Sequence, residues 1–393
     1  MYFTTPSNKQ SFILENPGEE LAVKGRGSDH WLLAAVSILM VAGILAVYSS
    51  IAYFAESHST TAFNLVFGHM IKLGIAIAVL IIFSKIPYQK VALISKYALL
   101  LSWFFLIFVM FYGNEVFGAR RHLNLGGFSF QPSSFATVAL LVHLCVMLVN
   151  KQSYITSFSR TFIPMMFWTG ITCLLVGLED FSSAALILSI ALLIMFIGRI
   201  SVIHLGGLII IGALGALFLL SQSEQRQSRI TNYIEQVIHI KSDSFALTAG
   251  YQAQQAHIAI AKGGLFGVGI GKSTQRDFLP APYNDFIFAI ITEEYGLIGA
   301  GLILLAFMMI LLRGVIFIAQ SAPDMLGSLI AMACTLTIVA YGLVNAAVAT
   351  GLFPVTGLPM PFVSYGGTSM LFAGMMIGIL MNISRQCKEE EAK

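Results

Sequence analysis

The sequence predicts an all-α polytopic membrane protein. It has about ten transmembrane helices, both termini cytoplasmic, and a large extracytoplasmic loop between helices seven and eight. Three observations lead there. Of 393 residues, 57% are hydrophobic and only 10% charged, with a mean hydropathy of +0.83. A soluble domain carries about a quarter charged residues, so lipid must solvate part of this surface. Apolar runs of spanning length, about 20 residues, recur along the chain. Lysine and arginine gather on alternate connections, as cytoplasmic loops require.

Residues 1–29 are polar and mixed in charge. They lack the basic start, short apolar run and cleavage site of a signal peptide, and read as a cytoplasmic tail. The candidate spans cover roughly 31–54, 63–84, 91–113, 133–150, 161–178, 183–198, 202–221, 286–311, 325–349 and 366–384. The fifth, sixth and seventh are short or closely spaced. The polar stretch 222–285 is the large outer loop, so residues 30–386 form one transmembrane domain and 387–393 a second cytoplasmic tail. With the N-terminus inside, the inner segments hold Lys24 and Arg26, then Lys85, Lys90 and Lys96, then Lys151 and Arg160, Arg199, Arg313, and finally Arg385 and Lys388. Short outer loops carry only Arg120 and Arg121. The long loop also holds basic residues, but long loops follow the rule poorly.

Several function classes fall away. A net charge of +3 is too weak to argue for nucleic acid. Cys145, Cys173, Cys334 and Cys387 are scattered, with no disulfide framework or zinc spacing, and the eight histidines form no cluster. The stretch Gly267–Thr274, GVGIGKST, imitates a phosphate-binding P-loop. That motif needs its first glycine at 266, where Phe266 stands, and a helix after the lysine, where QRDFLPAPYND follows. The stretch also faces away from the cytoplasm and its ATP.

In a membrane protein the informative residues are polar groups in costly places. Here they collect on the outer side, in GARRHLNLGGFSFQPSS, GLEDFSS, RQSRI, the segment from Gly250 to Gly296, and GLFPVTGLPMPFVSYGGTS. Each has a bland alternative. Arg120 and Arg121 can be solvated charges, and the glycines at 263, 264, 267, 269 and 271 can be turn residues. Bare glycine backbone can also bring N–H groups to a pyrophosphate. The proline-rich last loop carries no charge, which suggests irregular backbone buried in protein or lining a cavity. Asp285 directly precedes the eighth span, where an N-cap is its bland reading. Glu293 and Glu294 lie two turns deeper, on a helix that points them apart. Lys72 and His69 of the second span are candidate partners for one of them. Function and a structural ion pair both remain open for these residues.

At this point the chain resembles the SEDS family: ten-span membrane polymerases that join lipid II into glycan strands. The resemblance covers nearly all of residues 31–386. Its most specific stretches are GLPMPFVSYGGTSMLFAGMMIGILMNISR and GYQAQQAHIAIAKGGLFGVGIGKSTQRDFLPAPYNDFIFAIITEEYG. VYSS, GARRHLNLGGFSFQPSS and EDFSSA match more weakly. The resemblance implies a glycosyltransferase with Asp285, of the DFIF motif, as catalytic residue. Substrate-binding candidates are Arg121, Gln131, Arg226, Arg229, Gln252, Gln255, Lys262, Gly264, Gly267, Pro280, Pro354, Thr356, Ser364, Tyr365, Gly366 and Gly367. A divalent cation, Mg or Mn, is a possible cofactor. A class B penicillin-binding transpeptidase and other division or elongation proteins are the implied partners, and the bacterial cytoplasmic membrane is the implied location.

Some residues depart from the family pattern. Ser134 and Thr137 stand where glutamate and lysine are usual, His122 where tryptophan is usual, and Ala256 where serine is usual. Losing Glu and Lys together at i,i+3 leaves no unpaired charge. Gln252, in Gly250-Tyr251-Gln252, follows the habit of the division branch, FtsW, as does the sizeable N-terminal tail; the elongation branch, RodA, usually has histidine there. The competing classes are a lipid II flippase and a non-catalytic scaffold for a transpeptidase. The outward concentration of polar groups favours chemistry at that face.

Overall fold

The computed structural model describes residues 29–57, 62–116, 119–125, 128–221, 227–231, 233–234, 251–279 and 283–387. Eleven helices dominate the described residues: α1 (His30–Ser57), α2 (Ala62–Lys85), α3 (Tyr88–Tyr112), α4 (Pro132–Asn150), α5 (Ile163–Glu179), α6 (Phe181–Ile197), α7 (Val202–Ser221), α8 (Tyr251–Gly263), α9 (Ile287–Leu312), α10 (Met325–Ala349) and α11 (Gly367–Gln386). Among the described residues, nine are long and apolar enough to cross a membrane, α5 only together with the π-helical turn Phe158–Phe162 before it, and α6, of 17 residues, is a shorter apolar helix. The molecule is a multi-pass membrane protein.

Burial sorts the spans. In α4 and α11, 78% and 83% of the apolar window is buried, against 17% in α7, so the first two form the centre and α7 the rim. Helix α11 lies along α2 through two glycines one turn apart. A Cβ on Gly374 would come within 2.5 Å of the Ala76 carbonyl oxygen, and one on Gly378 within 2.6 Å of that of Leu80. Small residues four apart are the usual route to close helix packing in lipid. At the start of α1 Asp29 does two things. Its Oδ1 accepts from the Leu32 N–H at 3.0 Å, capping α1. Its Oδ2 accepts from Arg313 Nε and Nη2 at 2.8 and 2.6 Å, tying α1 to the far end of α9.

Two features go beyond the expected helices and loops. The connection between α3 and α4 is a small antiparallel sheet in the order β1 (Asn114–Val116), β2 (Ala119–Leu125), β3 (Phe128–Phe130), with Leu123 opposite Phe130. The long connection between α7 and α9 contains α8, which packs on α9.

The break in α9 explains the glycine-rich stretch. Gly296 has φ 68° and ψ −166°, which interrupts the helix. The loop after α8 supplies the missing partners. Val268 and Gly269 N–H donate to the Glu293 and Glu294 carbonyls at 2.9 and 3.1 Å, and Leu297 N–H donates to the Gly264 carbonyl at 2.9 Å. This exchange needs backbone against backbone. A Cβ on Gly267 would lie 2.1 Å from the Glu294 carbonyl oxygen.

Candidate functional site

The site is built by pinning the loop between α10 and α11, 351–366, against the turn that enters α9. Asn345, inside α10, donates its amide to the carbonyls of Asn284 (3.4 Å), Asp285 (3.1 Å) and Leu358 (2.8 Å). Ser364 donates its hydroxyl to the Asn284 carbonyl at 2.7 Å and accepts the Met360 N–H at 2.8 Å. Tyr365 N–H donates to the Tyr283 carbonyl at 2.9 Å. These bonds give a charge-free, irregular loop partners for its backbone, as burial demands.

Asp285 is half-buried in this frame. A Cβ on Gly357 would stand 3.5 Å from its Oδ2, so the carboxylate faces the loop. The N-cap position of α9 is Phe286, whose side chain makes no capping bond. The capping reading of Asp285 is thus one residue out of register. Tyr283 packs edge-on against Tyr365, with ring centroids 5.7 Å apart. Its phenol is pushed above the ordinary tyrosine range, by burial first and then by Tyr365 and Asp285.

Ser364, Tyr365, Gly366 and Gly367 cluster here, the last two at the start of α11. Pro354 and Thr356 lie half-buried in the same loop. Gln131 joins from the other side: it precedes α4, and its N–H donates to Thr368 Oγ1 at 3.2 Å. Gln252 and Gln255 are half-buried on α8, and Arg229 is exposed on the helical turn 227–231. Arg121 contributes its backbone to β2, and its side chain lies outside the described residues. Arg226 and Pro280 lie outside them entirely.

Two expectations are corrected. Gly267 does not offer its N–H to a pyrophosphate, because that group donates to the Gly263 carbonyl at 2.7 Å, and the Gly264 carbonyl is taken by Leu297. The missing side chain of Gly267 serves packing against α9, whereas a Cβ on Gly264 would meet open space, and what that position needs is its positive φ of 51°. Lys262 reaches Thr274 Oγ1 at 2.9 Å. Glu293 and Glu294 pair with neither Lys72 nor His69. Both are buried, at 0% and 1% exposure. Glu293 accepts from the Ser273 hydroxyl, from Thr274 N–H (3.1 Å) and Oγ1 (3.2 Å), and from Gln275 N–H (3.3 Å). Glu294 Oε1 accepts from the Ser49 hydroxyl and from Ser273 N–H at 3.4 Å. The two carboxyl groups share Ser273, because its hydroxyl donates to Glu293 and its N–H to Glu294. They clamp the second half of GVGIGKST onto α9. Glu293→Ala, which orphans two backbone donors, is expected to cost about 2–4 kcal/mol, with Glu293→Gln costing less. Thermal unfolding in detergent measures both; equal, small losses would remove the clamp.

Two functional neighbours were not anticipated. Asn345 was legible as an amide in an apolar span, a costly placement. Tyr283 carried no signal apart from its nearness to Asp285. Thr137, where the family pattern has lysine, is 2% exposed and donates to the Ser133 carbonyl at 2.8 Å. Ser134→Glu is therefore expected to destabilise the protein alone, and adding Thr137→Lys to recover about 1–3 kcal/mol of that loss. Unfolding of the single and double variants tests this; strictly additive effects would mean the positions do not communicate.

Comparison with known proteins agrees with this frame. The family profile described as "Cell cycle protein", spanning FtsW, RodA and SpoVE, matches residues 29–389. Stage V sporulation protein E of Bacillus subtilis is 34% identical over 93% of this chain and 99% of its own. A probable peptidoglycan glycosyltransferase FtsW of the same organism is 31% identical over 93% of this chain and 92% of its own. A chain from a structure titled "Structural coordination of polymerization and crosslinking by a peptidoglycan synthase complex" aligns with a TM-score of 0.69 at 20% identity, covering 92% of this chain and 99% of its own, a likeness of fold. On a profile match along almost its whole length and relatives above 30% identity, the chain belongs to the FtsW/RodA/SpoVE family of cell cycle proteins.

Proposed function

We propose that the protein is a peptidoglycan glycosyltransferase that polymerises lipid II at the outer face of the bacterial cytoplasmic membrane, for septal wall synthesis in division. The observation that carries this reading is the half-buried Asp285 at the outer end of α9, facing a neutral loop pinned around it. A sugar hydroxyl is a weak nucleophile, and a carboxylate within hydrogen-bond reach makes it competent as general base. Asp285 takes the proton of the acceptor's GlcNAc 4-hydroxyl as that oxygen attacks the donor's anomeric carbon. The bond to the polyprenyl pyrophosphate breaks, and cations beside the leaving group stabilise its charge.

Among the described residues no group of three or more His, Cys, Asp or Glu side chains is arranged to hold a metal. A magnesium or manganese ion would take its oxygens mainly from pyrophosphate and water, a shell that suits magnesium. The names of the relatives support glycosyl transfer. The structural neighbour, part of a synthase complex in its title, supports a class B penicillin-binding transpeptidase as partner. Gln252 supports the division role, with RodA-type elongation as the second reading.

The test is the purified protein in vesicles with labelled lipid II and its partner. Glycan strands are expected. Lipid II crossing the bilayer without strands would make it a flippase, and neither event would make it a scaffold.

A further inference from the structure

Lys72 and His69 stand together on α2 with no use found for them so far. Lys72 Nζ lies 4.0 Å from the centroid of the Tyr365 ring. No ion pair among the described residues includes it. His69, three residues earlier on the same helix face, is 1% exposed, and both of its ring nitrogens lack a hydrogen-bond partner. Its ring stacks on Tyr365 at 5.6 Å and 22°. An unpartnered imidazole and a lone ammonium are costly inside a membrane span, where such groups mark function.

Their position narrows the ligand. Helix α2 runs beside α11 with Ala76 against Gly374 and Leu80 against Gly378, so Lys72 stands one turn outward, near the first turn of α11. Tyr365 links both groups to the Asp285 turn through its N–H on Tyr283 and its edge-on contact with that ring. The neighbouring α2 side chains Phe67, Met70, Ile71 and Ile75 are exposed, as a lipid-facing surface is. The fitting ligand therefore has an anionic head with several acceptor oxygens and a long apolar tail.

We propose that Lys72 and His69 hold a phosphate of a polyprenyl-linked pyrophosphate beside the Asp285 turn. This rests on the polymerase reading and assigns a place to its leaving group. The ammonium acts as the point charge, the imidazole N–H donates to a phosphate oxygen, and Tyr365 fixes both.

Native mass spectrometry of the purified full chain tests it, with polyprenyl pyrophosphate, polyprenol, inorganic pyrophosphate and phosphatidylglycerol as separate probes. The wild type is expected to bind polyprenyl pyrophosphate best. Lys72→Met should weaken that binding about tenfold or more, while Lys72→Arg stays close to the wild type. His69→Gln, expected to weaken binding less, keeps the test open if Lys72→Met does not fold. Absence of binding by the wild type, unchanged binding by folded Lys72→Met, or equal preference for phosphatidylglycerol would each overturn the proposal. Strand synthesis by the same wild-type preparation separates the two readings. Strands with Lys72-independent binding sink this site and leave the polymerase standing. Lys72-dependent binding without strands does the reverse.

Discussion

Asp285→Asn is expected to cut glycan strand synthesis by about a hundredfold or more while leaving a folded membrane protein. General bases contribute about 10²–10⁴ in rate, and asparagine keeps the shape while losing the ability to take a proton. The frame should survive, because Asn345 holds the backbone carbonyl of residue 285 and not its carboxylate. Ser364 and Tyr365 grip Asn284 and Tyr283 in the same way. An unchanged unfolding temperature with lost synthesis supports catalysis. Near-normal synthesis by the variant would leave Asp285 as a structural residue of the turn.

Gly296→Ala should do the opposite and damage the fold. Residue 296 holds a backbone conformation that only glycine adopts readily, and an added Cβ would lie 2.3 Å from the Leu265 carbonyl oxygen. Neither neighbour can retreat, since Leu265 and Gly267 belong to the loop that completes the broken ladder of α9. A loss of about 3 kcal/mol or more is expected, enough to deplete folded protein from the membrane. Gly301→Ala, on the same helix with open space around its Cβ, is the control. It should be neutral or gain up to about 1 kcal/mol of helix propensity. Equal tolerance of both substitutions, by yield and thermal unfolding, would mean that the exchange of hydrogen bonds at the break does not stabilise the fold.

The spans were legible in the sequence because lipid imposes one simple demand, a long apolar run with its backbone bonds satisfied internally. The break in α9 was not, because hydropathy over 286–311 is continuous and a lone glycine in a helix is common. Its partner lies some 30 residues upstream, a pairing that no local pattern encodes. The small sheet has only a short signal in the sequence, Gly126-Gly127 between alternating residues, which a search for apolar spans does not register. Glu293 and Glu294 stood out as buried carboxyl groups, but their partners were sought among charges. The structure uses hydroxyls and backbone N–H groups of the neighbouring loop instead. Asp285 was picked out by the resemblance; spacing alone favoured a helix cap. The role of Lys72 needed the position of Tyr365, which only the packing of α2 on α11 supplies.

The most direct measurement follows the donor's pyrophosphate bond. Purified protein and the proposed transpeptidase partner are given lipid II labelled in both sugar and polyprenyl chain. Polyprenyl pyrophosphate should appear in proportion to the disaccharides added to strands, with both products cut about a hundredfold or more for Asp285→Asn. Lipid II that crosses the bilayer with its pyrophosphate bond intact, and no strand formed, would contradict the assignment of this chain as a polymerase.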